Sequence, residues 1–277
     1  MNVIVTGGAG FIGAHLCERL SVLGYDVTSI DNLISGNPAN YVTGVNYIVG
    51  NSQNIQDFAK NTVDVVFHLG EYSRVEQSVN EPLFALKNIY SPLPYVIDFC
   101  LQNNAKLIYA GSSTKFGDSD SPYSIAKSCN TELVKRMFDV YAGKYAITYF
   151  YNVYGDKEVA QGNFATVVAK FIKAKKRGLR VKITGDGKQK RNFTHVEDIV
   201  DGLIRVMLSG QGDGYGIGAE QSYTIIELAN MIGVEYDFIK SPTGNRTTAE
   251  LKTNKIKSLG WKQNRRLKDY IAEKVNF

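Results

Sequence analysis

The sequence predicts the α/β class: a doubly wound parallel sheet with a smaller C-terminal lobe. Three observations carry this expectation. A glycine-rich turn separates the first β-branched run from the first helical pattern. Short apolar runs then alternate with helical periodicity as far as Phe150. The composition is that of a globular chain, 277 residues with 44% hydrophobic, 21% charged, 26 glycines and 6 prolines. Strands alternating with helices need right-handed crossovers, so they build a parallel sheet covered on both faces.

The elements follow in order. Asn2 to Thr6 is a β-branched strand; after the glycines, Phe11, Ile12, Leu16, Leu20 and Leu23 recur at helical spacing until Gly24 stops the pattern. Asp26 to Ile30, Val45 to Val49 and Val63 to Leu69 read as the next three strands. Pro82 to Asn104 is helical, with Pro92 and Pro94 placed to bend or interrupt it. Ala105 to Ala110 is a fifth strand, Pro122 to Gly143 an amphipathic helix and Tyr145 to Phe150 a sixth strand. Beyond Asn152 the rhythm loosens into helices near Phe164 to Arg177, Val196 to Leu208 and Thr224 to Ile232, and a short strand at Arg180 to Thr184. The last stretch, with Gly212, Gly214, Gly216 and Gly218 and a closing helix near Leu267 to Val275, reads as a small lobe. In open α/β sheets ligands sit at the carboxyl ends of the strands, where such a lobe covers them.

Composition excludes several classes. Lys and Arg outnumber Asp and Glu by 32 to 27, a net charge of +5 with no block of five like charges, so no nucleic-acid partner is expected. No window reaches the ~18 apolar residues a membrane span requires, and the N-terminus lacks a basic leader, so no membrane association is expected. Cys17, Cys100 and Cys129 form neither a disulfide framework nor a metal-ligand spacing. A cytoplasmic protein without a metal site is the economical reading.

The run Thr6-Gly7-Gly8-Ala9-Gly10-Phe11-Ile12-Gly13 satisfies G-x-G-x-x-G from Gly8 and G-x-x-G-x-x-G from Gly7. Glycine is needed because a side chain would hold the backbone off a pyrophosphate lying on the free N–H groups of a helix start. Asp31 ends the second strand, where a carboxylate accepts bonds from ribose hydroxyls and repels a 2′-phosphate. Asn32 to Asn37 holds no Arg or Lys, so NAD is favoured over NADP. His68, inside an apolar strand, reads as a core histidine.

The chemistry is expected at the next helix. Tyr123 and Lys127 stand at i, i+4, one turn apart on one face. A phenol with pKa near 10 is a poor base at neutral pH, and lowering it by about three units means ~4 kcal/mol of preferential phenolate stabilisation. A neighbouring ammonium and a positive nicotinamide ring have the sign to supply it. Ser112, at the end of the fifth strand, can bond the oxygen that Tyr123 deprotonates. Arg191, ahead of a helix start, suits a bidentate diphosphate clamp, whereas Lys175-Lys176-Arg177 reads as a solvated helix end.

Taken together and in this order, the segments Thr6-Gly-Gly-Ala-Gly-Phe-Ile-Gly13, Asp31-Asn-Leu-Ile-Ser-Gly36, Asp64-Val-Val-Phe-His-Leu69, Ser112 with Tyr123 and Lys127, Tyr151-Asn152-Val-Tyr-Gly155, Arg191-Asn-Phe-Thr-His-Val196 and Leu259-Gly-Trp261 resemble the extended short-chain dehydrogenase/reductase family, within it the nucleotide-sugar epimerases and dehydratases of the UDP-glucose 4-epimerase type. The resemblance implies a Rossmann domain with tightly held NAD, a C-terminal substrate lobe, and a homodimer formed through two helices. Residues 1–155 would be the NAD-binding domain with 192–210 packing back on it, and 156–191 with 211–277 the substrate-binding lobe. Gly7, Gly10, Phe11, Ile12, Gly13, Asp31, Asn32, Leu69 and Lys127 would hold the cofactor. Tyr123, Lys127 and Ser112 match the catalytic set. Ser113, Asn152, Arg191 and Arg246 would bind the substrate, a nucleotide-diphosphate sugar with UDP as the expected nucleotide, and Asn88 matches a structural or cofactor-side asparagine.

The departures from the family pattern discriminate among reactions. Dehydratases carry an Asp-Glu pair directly after the strand-end hydroxyl, and this chain has Ser113-Thr114-Lys115. Decarboxylases place a Glu near that position; here the candidate would be Glu71, which stands in place of a small residue and is expected near the rim of the site. Gly50-Asn51-Ser52 offers an amide where an acid usually meets the adenine, and a keto-reductase would want a phosphorylated, exchanging cofactor that Asp31 disfavours. The expected reaction is NAD-dependent epimerisation, at C4 of a UDP-hexose, through a transient 4-keto sugar. Other nucleotide-sugar modifications on the same site are the alternative, with a non-catalytic NAD-binding sensor behind them.

Overall fold

The computed structural model describes residues 1–59, 62–117, 120–162, 164–240 and 250–275. In chain order it runs β1 (Asn2–Thr6), α1 (Phe11–Val22), β2 (Asp26–Asp31), β3 (Val45–Val49), α2 (Ile55–Phe58), β4 (Val65–His68), α3 (Val75–Asn80), α4 (Pro82–Tyr90), α5 (Leu93–Gln102), β5 (Lys106–Ser112), α6 (Pro122–Val140) and β6 (Tyr145–Phe150). There follow β7 (Val153–Tyr154), α7 (Val167–Lys176), β8 (Val181–Thr184), β9 (Lys190–Arg191), β10 (Thr194–His195), α8 (Val196–Ser209), β11 (Gly212–Ile217), β12 (Tyr223–Thr224), α9 (Ile225–Ile232), β13 (Tyr236–Ile239), α10 (Asn254–Ser258) and α11 (Leu267–Val275). The interruption expected at the prolines falls between Tyr90 and Leu93, where Pro92 supplies no N–H to continue the helix.

Seven parallel strands lie in the order β11-β6-β5-β4-β1-β2-β3. The fold is therefore the predicted Rossmann-like α/β sheet. Both faces are covered at the centre of the sheet, which is why β1 and β4 read as near-continuous apolar runs rather than alternating. Val3, Val5, Phe67 and Ile108 pack with Leu16 and Leu20 of α1 and with Ile199, Leu203 and Val206 of α8. On the other face Ile4, Val66, Leu107 and Tyr109 meet Val96 and Phe99 of α5 and Val134 and Phe138 of α6. A separate core joins α7, α9 and α11 to β8 and β13 through Phe171, Leu228, Ile183 and Leu267.

The strand β11 corrects the expected boundary at residue 211. Residues 212–217, anticipated as part of the terminal lobe, extend the large sheet beside β6, and Ile256 and Trp261 pack into its core. Of the glycines that made this segment look like a loop, Gly212 and Gly214 adopt φ +71° and +103°, whereas Gly216 and Gly218 mark close approach. A Cβ at Gly216 would stand 2.1 Å from the carbonyl oxygen of Lys252, and one at Gly218 would meet Tyr151 and Leu251 at 2.7 Å.

The order of the strands reverses between β1 and β4, whose connections leave in opposite directions, and this opens a crevice at their carboxyl ends. Thr6 and His68 face each other there, hydrogen-bonded side chain to side chain at 2.8 Å.

Candidate active site

The turn after β1 is built to bring backbone, not side chains, to that crevice. Gly7 adopts φ +78°, and a Cβ there would lie 2.8 Å from Cα of Gly70. A Cβ at Gly13 would lie 2.1 Å from the Gly7 carbonyl oxygen. Gly10 caps α1 without any side-chain hydrogen bond, and the first turn carries no acidic residue. The N–H groups at this helix start are thus left to a ligand, and the dipole makes it an anion. Asp31 holds the turn from the next strand: its carboxylate accepts from the N–H groups of Ala9 at 3.0 Å and Leu33 at 2.8 Å. Asn32 donates to Asn51 at 3.0 Å, so the two amides are tied to each other.

From this turn a cavity of about 810 Å³ runs across the ends of β4, β5 and β6. Its walls include Gly7, Gly10, Phe11, Ile12, Gly13, Asp31, Asn32 and Leu69, all expected on the cofactor side, and Asn88 of α4. They also include Ser112, Ser113, Tyr123 and Lys127. The start of α6 is fixed by Pro122 in its first turn and by a capping box between Ser121 and Ser124, and the Tyr123 N–H donates to Ser78 Oγ at 3.2 Å. Tyr123 and Lys127 therefore leave the helix together over the end of β5. There Ser112 Oγ lies 2.8 Å from Thr114 Oγ1.

Lys127 is held tightly. Its ammonium donates to the Ala110 carbonyl and to Glu71 Oε2, both at 2.5 Å, and lies 4.5 Å from the centre of the Tyr109 ring. Glu71 thus departs from its expected place at the rim. Its side chain is only 2% exposed, because its carboxylate is enclosed by Lys127, Tyr109 and Asn130. His68 is fully buried, as the apolar strand predicts.

The far end of the cavity is lined by Asn152 and Arg191, as expected for substrate residues, while Arg246 lies outside the described residues. Asn152 has φ +38°, a strained conformation for a non-glycine residue, and its buried Oδ1 has no hydrogen-bond partner among the described residues. Arg74 is a wall residue that sequence reading missed. Its guanidinium donates to the Phe164 carbonyl, and its buried Nε has no partner among the described residues. Burial holds its pKa below the usual arginine range, against the opposing influence of Tyr123 and Glu158. Burial likewise pushes the Glu158 carboxyl up to about 7, outweighing the lowering influence of Thr166, the Gly155 N–H and the Arg74 charge, and neither of its oxygens has a hydrogen-bond partner among the described residues. The only signal for Arg74 was a cation six residues past an apolar strand.

The model of the NAD dependent epimerase/dehydratase family matches residues 3–218. The chain belongs to this family. It is 28% identical to a UDP-glucose 4-epimerase of Mycolicibacterium smegmatis, over 100% of this chain and 98% of that protein. A UDP-N-acetyl-alpha-D-glucosaminuronate decarboxylase of Bacillus cytotoxicus is 29% identical over 83% of this chain and 78% of its own. The crystal structure of UDP-glucose 4-epimerase with UDP-glucose from Thermotoga maritima superposes with TM-score 0.91 at 27% identity, covering 100% of this chain and 98% of that one.

NAD is the cofactor of this epimerase/dehydratase family member, and the protein modifies a nucleotide sugar. The residues present fit it. The bare helix start of α1 and the Gly7 and Gly13 positions, which a Cβ would fill, suit a diphosphate, and the Asp31 carboxylate stands at the end of β2 in the same cavity wall. Among the described residues no helix is long and apolar enough to cross a membrane.

Proposed function

We propose that this protein epimerises a nucleotide-diphosphate sugar, at C4 of a UDP-hexose. The observation that carries the reading is the sharing of one cavity by the glycine turn, the Tyr123–Lys127 pair and Ser112. Tyr123, as phenolate, accepts the proton of the C4 hydroxyl and later returns it; Ser112 hydrogen-bonds the same oxygen; the Lys127 ammonium stabilises the phenolate one helical turn away. Bound NAD supplies a reversible store for a hydride, so a 4-keto sugar can form and be reduced on its other face without net redox. Gly7, Gly10, Phe11, Ile12, Gly13, Asp31, Asn32 and Leu69 would hold it, together with Lys127.

The substrate would extend from Ser113 past Asn152, with its orphaned amide oxygen, to Arg191. A second cavity of about 410 Å³ continues from these residues, with the exposed Lys170 and Lys182 in its walls, and offers cations to a nucleotide diphosphate. The lobe of α7, α9, α11, β8 and β13 would then be the substrate-binding one. Similarity over the full chain to proteins named 4-epimerases supports inversion over elimination, as does the lack of an acidic pair at Ser113-Thr114. Decarboxylation is disfavoured because Glu71 is occupied by Lys127 and Tyr109 rather than open to a sugar acid.

The test is incubation of the purified protein with UDP-, GDP- and CDP-sugars without added cofactor, with products read by NMR. A C4 epimer of a UDP-sugar is expected; loss of water or carbon dioxide instead would sink the reading. We also infer a homodimer. Helices α4 and α6 pack side by side and leave Leu83 (83% exposed), Ile125 (53%), Tyr90 and Leu133 bare on one side, a face that a second copy of the same pair would cover. Sedimentation equilibrium at micromolar concentration is expected to give twice the 30.7 kDa chain mass, and a monomer would remove the inference.

A further inference from the structure

Lys127 pairs with a carboxylate that the mechanism above does not use. Glu71 accepts from Lys127 at 2.5 Å, from the Tyr109 hydroxyl at 2.9 Å and from the Asn130 amide at 3.1 Å, and His68 Nε2 lies 3.3 Å from its other oxygen. The carboxylate and ammonium side chains are 2% and 6% exposed. An ammonium this deeply placed is driven toward its neutral form unless a counter-ion faces it, and a neutral amine offers a phenolate no charge. We propose that Glu71 is the positioning residue of this site, the buried counter-ion that keeps Lys127 charged and aimed, and so extends to alkaline pH the range in which Tyr123 works. The proposal rests on the Tyr123–Lys127 reading above.

The surroundings are consistent from every side. His68 on β4, Tyr109 on β5, and Lys127 and Tyr123 on α6 are the titratable groups at the pair, with Arg74 beyond Tyr123. Burial alone would raise the Glu71 carboxyl, but Lys127 and His68 hold it below the usual range, so it is anionic throughout the working pH range. Burial and the same carboxylate push the Tyr109 phenol well up, which leaves it a neutral donor to Glu71. Asn130 is itself anchored, donating to the Ile89 carbonyl at 3.0 Å, so Glu71 cannot swing away with its partner.

The test uses Glu71→Gln, Lys127→Met, the double variant and Glu71→Asp in the full-length, NAD-loaded protein. For Glu71→Gln the alkaline limb of kcat should move down by about two pH units, with the KM for the sugar nucleotide unchanged, while Glu71→Asp restores the limb. Thermal midpoints give the readout that does not depend on turnover. Each single variant should lose about 5 to 10 °C, and the double variant should recover most of it, since no charge is then left unpaired. Should Glu71→Gln fail to fold, the double variant is still expected to fold and carries the comparison. An unmoved alkaline limb, or midpoint losses that simply add, overturns the proposal. Turnover by Tyr123→Phe would instead overturn the proton-shuttle reading beneath it, so the two failures are distinct.

Discussion

Tyr123→Phe is expected to lower kcat by about 1,000-fold, a loss of ~4 kcal/mol of transition-state stabilisation, while leaving bound NAD in place. The substitution removes one oxygen and keeps the ring that packs against the cluster of Tyr72, Ala85, Ile89 and Ala126, so folding should be nearly untouched. The helix start is held by Ser121, Ser124 and the Ser78 hydroxyl, all of which act on backbone atoms that phenylalanine retains. What disappears is the phenol oxygen proposed to take the hydroxyl proton. Product formation followed by NMR, with cofactor released by denaturation and quantified by absorbance, separates the two properties. Turnover within tenfold of the native rate would take Tyr123 out of the reaction. Loss of NAD together with turnover would mean that the phenol serves the cofactor rather than the sugar.

The parts of this site that lie in short, continuous segments were legible in the sequence. The glycine turn, Asp31 at a strand end and the i, i+4 pair of α6 each carry their geometry with them, because strand–turn–helix spacing fixes where they point. The parts that depend on distant contacts were not. Glu71 looked like a rim carboxylate because nothing within its own segment announces Lys127 and Tyr109, which come from α6 and β5. Arg74 was missed for the same reason: its place in the wall depends on the Phe164 carbonyl, contributed by the other half of the chain. The strand β11 was hidden by its glycines, of which Gly216 makes room for the Lys252 backbone while Gly212 and Gly214 adopt positive φ. Local pattern therefore picked out groups that the fold brings to one cavity, and tertiary packing decided which charges stand beside them.

Gly13→Ala should abolish tight cofactor binding, and two opposed effects decide the sign of its stability change. Gly13 lies inside α1, where alanine normally stabilises a helix by up to ~1 kcal/mol over glycine. Here the added methyl would stand 2.1 Å from the Gly7 carbonyl oxygen and 2.8 Å from Gly7 C and Gly8 Cα, all of them backbone. Those atoms cannot yield like the end of a flexible side chain. Gly7 is itself pinned by its N–H to the Ile30 carbonyl at 2.8 Å, and Ala9 by Asp31. Relieving the clash must lift the turn off the start of α1, at a strain cost of roughly 1–3 kcal/mol that outweighs the propensity gain. The same displacement spoils the close approach on which a diphosphate depends, so NAD affinity should fall by about 100-fold or more, equivalent to ~3 kcal/mol. Thermal midpoints measured with and without added NAD read both effects: a lower midpoint than the native protein, and loss of the increment that NAD produces. A variant that keeps its NAD through purification and melts no earlier would show that the turn has room the geometry denies it, and the cofactor would then have to lie elsewhere than across Gly7 and Gly13.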